Sequence, residues 1–282
     1  MAIVKMKDLL LPALNGKYAV GAFEFWSLDS AQAVIEAAEE AHCPVILQAG
    51  PLECKYAGIN NLAKIARMAA EKASISVALH LDHGDTLQLV QDALDNGFTS
   101  VMIDASSESF DTNVEMTQKT VEMARKTGAT VEGELGRIPG GEANIPADVE
   151  EYYTIPEEAV KYAEKTGVDA LAVAIGSAHG FYTKEPRLDI RRLREIYDLV
   201  RMPIVLHGGT GIDAAQIKES IQNGIAKVNI CTEFVAAFGR QYTATQNRPG
   251  FKYAVPSLFE PSKQAGKAVA LEKIKLFKAG QL

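Results

Sequence analysis

Short apolar runs alternate with polar or glycine-rich joints and amphipathic stretches along the whole chain. Eight runs carry the rhythm: 18-YAVGAF-23, 44-PVILQA-49, 76-SVALHLD-82, 100-SVMIDA-105, 130-TVEGEL-135, 169-DALAVAI-175, 203-PIVLHG-208 and 226-AKVNIC-231. Between them lie segments such as 29-DSAQAVIEAAEEA-41, 86-TLQLVQDALDNG-97 and 213-DAAQIKESIQNG-224, with apolar positions at helical spacing; the last two end in Asn-Gly, a helix-stop signal. Continuously apolar strands that alternate with helices predict a parallel sheet covered on both faces. Eight such units in 282 residues favour a closed (β/α)8 TIM barrel, a fold of typically about 250 residues, over an open doubly wound sheet. No Pro/Gly/Ser-rich linker, charge block or low-complexity tract divides the chain, so residues 1–282 read as one barrel domain. Two features depart from plain alternation. The joint from Gly136 to Tyr152 is long and contains IPGGEANIPAD, as mobile active-site loops often do. The tail after Cys231 predicts a helical extension over about 233–282, with helices near 233–246 and 262–277, packed either on the barrel or on a second subunit.

Chemistry-bearing residues gather at one end of these strands. Followed to their C-terminal ends, the runs give Glu24, Gln48, Asp82-His83, Asp104, Glu132 with Glu134, His179, His207-Gly208-Gly209, and Asn229 with Thr232. The opposite ends carry Ala, Pro, Ser and Thr. In a barrel the C-terminal face is where the βα loops converge into an active site. His83, His179 and His207 fall at matching depth, and three neutral imidazoles with one position left open make a catalytic zinc site; the bland reading of each ring alone is a hydrogen-bonded structural residue. His42 falls at the other end and His80 inside its strand, so both take the structural reading. The joints 176-GSAHG-180 and 207-HGGTG-211 offer backbone N–H groups and the Thr210 hydroxyl to an anion, as phosphate cradles after late barrel strands do. Asn229 and Thr232 would close that cradle. Asp82 and His83 are neighbours, so on an extended strand their side chains diverge, one toward metal and the other toward substrate. Glu132 and Glu134 share a face of the fifth strand, Asp104 ends the fourth, and a salt bridge inside the barrel is the favoured reading for Glu132.

Composition removes other classes. Hydrophobic residues make up 47% and charged residues 23% of the chain, ordinary for a globular protein. The net charge of −7 with scattered Lys and Arg speaks against nucleic-acid binding. Cys43, Cys54 and Cys231 form no CxxC pair, so no cysteine-based metal module is expected. No apolar run reaches 18 residues and MAIVKMKDLL lacks a signal-peptide core, so no membrane partner and a cytoplasmic location are expected.

Six motifs then carry a resemblance: 79-LHLDHGD-85, 98-FTSVMIDAS-106, 131-VEGELG-136, 171-LAVAIGSAHGFY-182, 205-VLHGGTGI-212 and 225-IAKVNICTE-233. In this order the chain is similar to the class II, zinc-dependent ketose-bisphosphate aldolases, of the fructose- and tagatose-bisphosphate type. The resemblance implies reversible retro-aldol cleavage of a ketose 1-phosphate or ketose bisphosphate to dihydroxyacetone phosphate and an aldehyde, in a homo-oligomer (dimer or tetramer). It implies zinc on His83, His179 and His207, with Asp104 and Glu134 able to contact a displaced or second ion. Asp82 takes the acid/base role at the C4 oxygen and Glu142, in the long joint, a proton-transfer role at C3. Gly180, Gly208, Gly209, Thr210, Asn229 and Thr232 would hold the phosphate end together with a monovalent cation, Na+ or K+. Departures cluster in one place. Where the family has Ala-Phe-Asn this chain has 22-AFEFW-26, so Glu24 replaces an amide; 48-QAGP-51 lacks the usual Ser; Arg240 and Arg248 are the candidates for an arginine at a second phosphate. A negative Glu24 in the substrate's path predicts preference for a ketose 1-phosphate with an uncharged or hydroxyl-rich far end, unless a tail arginine such as Arg248 pairs with it. Two other readings stand beside this one: a Schiff-base aldolase using Lys227, whose parity with Asn229 lets it point into the barrel, and a non-catalytic sugar-phosphate- or metal-binding barrel.

Overall fold

Eight parallel strands close on themselves in chain order: β1 (Val20–Glu24), β2 (Val45–Ala49), β3 (Val77–Gly84), β4 (Ser100–Ile103), β5 (Thr130–Leu135), β6 (Ala170–Val173), β7 (Ile204–Leu206) and β8 (Ile225–Ile230), with β8 paired to β1. The computed structural model describes residues 3–140, 152–252 and 254–278. Helices α2 (Leu28–Ala41), α4 (Ile59–Ala70), α5 (Leu87–Asp95), α6 (Phe110–Arg125), α7 (Pro156–Thr166), α8 (Ile190–Val200) and α9 (Ala214–Gln222) form the outer ring. Local chemistry fixes several boundaries: Ser27 and Ser30 cap α2 reciprocally, Asp213 accepts from the first N–H groups of α9, and Pro156 opens α7. Among the described residues no helix is long and apolar enough to cross a membrane.

Strands buried on both faces explain the unbroken apolar runs. Their outward side chains join the helices in one core, containing Phe23, Leu47, Leu79, Val101, Leu171 and Val228. Their inward side chains form layers. At the bottom Val20, Ala22, Ile46, Ala78, Ala170, Ala172, Val205 and Ala226 meet α1 (Lys7–Gly16), which plugs the barrel with Leu9, Leu10 and Ala13 beside Met6. The alanines leave room for that helix. One step up the same strands turn polar: Ser100 accepts or donates at 2.8 Å to His80 Nδ1, and Lys227 pairs with Glu132. One step higher lies the mouth.

The tail is α10 (Thr232–Gln246) and α11 (Val255–Phe277), the second longer than its sequence pattern suggested. A continuous buried edge of Leu258, Ser262, Gly266, Ala270, Ile274 and Phe277 carries α11 through Pro261. It packs against α2 and α10 of the same barrel, with ion pairs Lys263–Glu36 at 3.0 Å and Lys267–Glu40 at 3.1 Å. The short helix α3 (Pro51–Ala57) after β2 was not foreseen.

Candidate active site

Three imidazoles, one from the end of β3 and two from the segments after β6 and β7, converge at the C-terminal mouth. His83, His179 and His207 bring nitrogen atoms within 4.8 Å of one another, and His207 Nδ1 lies 2.9 Å from His83 Nε2. The nitrogens facing away are occupied: His83 Nδ1 stands 2.7 Å from Asp104 Oδ2 and His207 Nε2 stands 2.8 Å from Glu132 Oε1. A carboxylate behind each ring leaves the inward nitrogen as the electron-pair donor, the usual arrangement of metal-binding histidines. Among the described residues Glu134 Oε2 is buried without a hydrogen-bond partner, 3.5 Å from His207 Nδ1. Nitrogen donors that crowd together, with an orphaned carboxylate oxygen beside them, fit a divalent cation of the zinc type. His83, Asp104 and Glu134 form a second, overlapping cluster with metal-ligand spacing.

The electrostatics say the same. Burial disfavours a charged His83, but Asp82, the Asp104 hydrogen bond and Glu134 outweigh it and hold the imidazole up at about 10. Burial and repulsion from His83 and His207 push His179 down to about 3. Burial and the neighbouring Asp104 raise Glu134 to about 7. The pocket thus calls for positive charge, and a metal ion would take the place of the proton on His83.

Asp82 stands beside this cluster, and the route to it differs from the sequence expectation. His83 takes φ +46° and the β3–β4 register shifts between Leu81 and Gly84. This bulge re-aims the strand end, so Asp82 Oδ2 and His83 Nε2 lie 3.9 Å apart rather than on opposite faces. Asp82, 5% exposed, accepts from Gln48 Nε2 at 2.9 Å and from Asn229 Nδ2 at 3.2 Å on each oxygen. Burial raises its pKa, but His83, His80, Lys227 and His207 more than reverse this and hold it well below the usual carboxylate range. The ring of His80 is buried and bonded to Ser100. Gln48 was visible in the sequence only as a strand tip; that it orients Asp82 follows from barrel closure, which sequence spacing does not show.

Glu24 differs more. It is 5% exposed, with Oε1 accepting from Gly50 N–H at 2.9 Å and Oε2 accepting from Gln48 Nε2 at 3.3 Å. Glu53 shares the Gly50 N–H at 3.1 Å. Burial first, then Glu53 and Asp82, push Glu24 well above the ordinary carboxylate range. Its carboxyl is thus harder to ionise than the free acid that the sequence suggested, and its contacts are Gly50, Gln48 and Glu53 rather than Arg248. The Arg240 guanidinium lies 6.0 Å over the Phe181 ring.

The two glycine joints meet across β6 and β7. Gly208 has φ +68°, and a Cβ there would strike the Ala178 carbonyl; Gly180 has φ +98° and open space where a Cβ would be. Tyr182, not singled out in the sequence, ties the loops: its hydroxyl accepts from Ala178 N–H at 2.8 Å and donates to Gly208 O at 2.9 Å. Gly209 N–H is committed to Asn229 O at 3.1 Å, and Thr210 Oγ1 accepts from Glu233 N–H at 3.3 Å at the start of α10. Asn229 thus joins strand β8 both to the cradle and to Asp82, and Thr232 is the first residue of α10. Tyr182→Phe is expected to leave both loop groups without their partner, a loss of about 1–3 kcal/mol, read as a lower Tm and a raised KM for the phosphorylated substrate. Glu142 lies outside the described residues. The segment leading to it passes the site, with Pro139 O accepting from His179 N–H at 2.7 Å.

Lys227 is fully buried, and its Nζ pairs with Glu132 Oε2 at 2.7 Å, below Asp82. It points into the barrel, as parity suggests, but into an ion pair, and the Schiff-base reading is not favoured. Fold and geometry together define a closed β/α barrel with three histidines at its mouth that could hold a metal ion. A family model described as fructose-bisphosphate aldolase class-II matches residues 4–281. The chain is 39% identical over 281 residues to a fructose-bisphosphate aldolase of Geobacillus stearothermophilus, covering 98% of this chain and 97% of the relative. It is 40% identical over 280 residues to one from Staphylococcus aureus (strain Mu50), covering 98% of each. Among solved structures, the YdjI aldolase from Escherichia coli K12 matches with a TM-score of 0.88 and 35% identity over 99% of both chains. The chain belongs to the class-II fructose-bisphosphate aldolase family, whose members are zinc-dependent aldehyde-lyases.

Proposed function

We propose that this chain performs reversible aldol cleavage of a ketose 1-phosphate or ketose bisphosphate to dihydroxyacetone phosphate and an aldehyde. The observation that carries the reading is the placement of Asp82 against His83, His179 and His207, with the glycine loops across the mouth. His83, His179 and His207 would hold a zinc ion, with Asp104 and Glu134 as the carboxylates within reach of a displaced one. A divalent ion bound there supplies Lewis-acid polarisation of a ketone oxygen.

The chain's own groups supply the rest. Gly180, Gly208, Thr210 and Thr232 cradle the phosphate by backbone and hydroxyl groups beside the N-terminus of α10, and Gly209 and Asn229, bonded to each other, form its base. None of these carries positive charge, which supports a monovalent cation, Na+ or K+, at the same place. Asp82, ionised and oriented by Gln48 and Asn229, takes the C4 hydroxyl proton as the C3–C4 bond breaks, and returns it to the aldehyde oxygen in synthesis. The bond's electron pair stays on the dihydroxyacetone phosphate side, where an acid of the 136–152 joint, Glu142 in this reading, delivers the proton to C3. Tyr56 and Leu52, 80% and 77% exposed and one turn apart on α3, support a homo-oligomer, dimer or tetramer. A cytoplasmic location accords with a sugar-phosphate substrate. Release of dihydroxyacetone phosphate from a panel of 1-phosphorylated ketoses tests the activity, and no release from any of them would refute it.

The contacts of Asp82 and Glu24 support a reading of the substrate's far end. Asp82 stands between the cradle after β6–β8 and the wall built by β1 and β2. A substrate anchored by its phosphate therefore extends toward Glu24 and Glu53. Two carboxyl groups, with Gly50 and Gln48 as their hydrogen-bond donors, suit hydroxyls better than a second phosphate. The expected result is a higher kcat/KM for a ketose 1-phosphate than for the matching bisphosphate. Because the Glu24 pKa is raised, its charge develops at higher pH than that of an ordinary carboxylate, and that charge opposes a second phosphate at the far end. The bisphosphate should then lose further ground. Unit charges ~4 Å apart repel by about 1 kcal/mol even in water, so Glu24→Asn should shift the ratio several-fold toward the bisphosphate and flatten its pH dependence. An unchanged ratio would refute the assignment of Glu24.

A further inference from the structure

Beneath the three histidines a column of charged and polar groups crosses the barrel from β8 to β7. Lys227 Nζ lies 2.7 Å from Glu132 Oε2, and the other Glu132 oxygen, Oε1, lies 2.8 Å from His207 Nε2. Lys227, Glu132 and His207 are all 0% exposed. Each of the two glutamate oxygens is thereby committed to one neighbour. The second nitrogen of His207, Nδ1, is the one that lies 2.9 Å from His83 Nε2.

A carboxylate can accept only from the Nε2–H form of the ring, and that form leaves its lone pair on Nδ1, the atom that faces the other histidines. The orientation of the ring is fixed by the same contact. Glu132 can hold this position only if its own carboxylate is held. Around it the inward surface offers His80 Nε2 at 3.6 Å from Oε2, too far for a hydrogen bond, and the Lys227 ammonium. Stability is a weak account of the pair, since a buried Lys–Glu bridge contributes little over well-packed apolar side chains. It also does not account for the way the two oxygens divide between ammonium and imidazole.

We propose that Lys227 is a positioning residue: by anchoring Glu132 it sets His207 in the tautomer and orientation that present Nδ1 to a divalent cation. Lys227 touches neither substrate nor metal; its ammonium also lies 4.0 Å from Asp82 Oδ1, but its effect on the metal runs through Glu132. The proposal rests on the three-histidine metal reading and adds to it a cause for the competence of one ligand.

Zinc affinity of the full chain, measured by competition with a chromophoric chelator, tests it in wild type, Lys227→Met, Glu132→Gln, Glu132→Asp and the Lys227→Met/Glu132→Gln pair. Thermal unfolding of the metal-free proteins and the visible spectra of their Co2+ forms are read alongside. Lys227→Met and Glu132→Gln should each weaken zinc binding roughly 10- to 100-fold and alter the Co2+ bands. The double variant should bind no more weakly than Glu132→Gln, because both act on one contact. Glu132→Asp keeps the charge but withdraws the carboxylate by about one C–C bond, ~1.5 Å, and should lose affinity even where Lys227→Met does not fold. Wild-type affinity in Glu132→Asp, or in a folded Lys227→Met with only a lowered Tm, would overturn the proposal while leaving the metal site intact. Losses that multiply in the double variant would overturn it too. A wild-type chain that binds no zinc would overturn the metal reading along with it.

Discussion

Stripping the metal with a chelator is expected to abolish carbon–carbon cleavage, and adding zinc back is expected to restore it. Three imidazoles share one small volume, two of them backed by carboxylates, and the orphaned Glu134 oxygen faces the same space. His207→Ala removes the ring that stands between Glu132 below and His83 beside it, so metal content should fall from about one ion per chain toward none, with cleavage lost in parallel. A readout independent of turnover exists. A ligand present at 100 times its dissociation constant stabilises the folded state by about 2.7 kcal/mol, worth roughly 5–10 °C in Tm for a domain of this size. Zinc should raise the wild-type Tm by that order and leave the Tm of His207→Ala nearly unmoved. Full activity in metal-free protein would sink the mechanism.

The barrel was legible because its signals are local and repeated. Each strand is apolar from end to end, each following helix is amphipathic, and eight repetitions leave few alternatives to closure. The histidines were legible for a related reason: His83 and His207 end strands, and a strand end in a parallel barrel has one address, the C-terminal mouth. What stayed hidden depends on contacts between strands distant in sequence. Gln48 and Asn229 meet on Asp82 only because β2 and β8 curve round to flank the same opening. The bulge at His83 was invisible because a left-handed φ on a histidine has no sequence signature of its own. The raised pKa of Glu24 was missed for a third reason: α3, absent from the expected pattern, brings Glu53 and the Gly50 N–H over this strand end.

Substitution can expose the proposed division of roles between Asp82 and His83. Asp82→Asn is expected to keep the metal and lose most cleavage, with kcat reduced by roughly 10²–10⁴, or about 3–5 kcal/mol of transition-state stabilisation at 1.36 kcal/mol per decade. The amide occupies the volume of the carboxylate, so the β3 bulge and the His83 ring remain supported by Asp104 from the other side. It cannot accept the hydroxyl proton. KM should change little, because in the proposed function the loops across the mouth, not Asp82, hold the phosphate end. Gln48→Leu makes a second, graded probe: it removes one of the two amide groups that hold the carboxylate, at 2.9 Å, and should lower kcat less than Asp82→Asn does. Measured zinc content separates the alternatives. If Asp82→Asn emptied the site, Asp82 would be serving the metal rather than the proton, and the assignment of roles within the Asp82-His83 pair would be reversed.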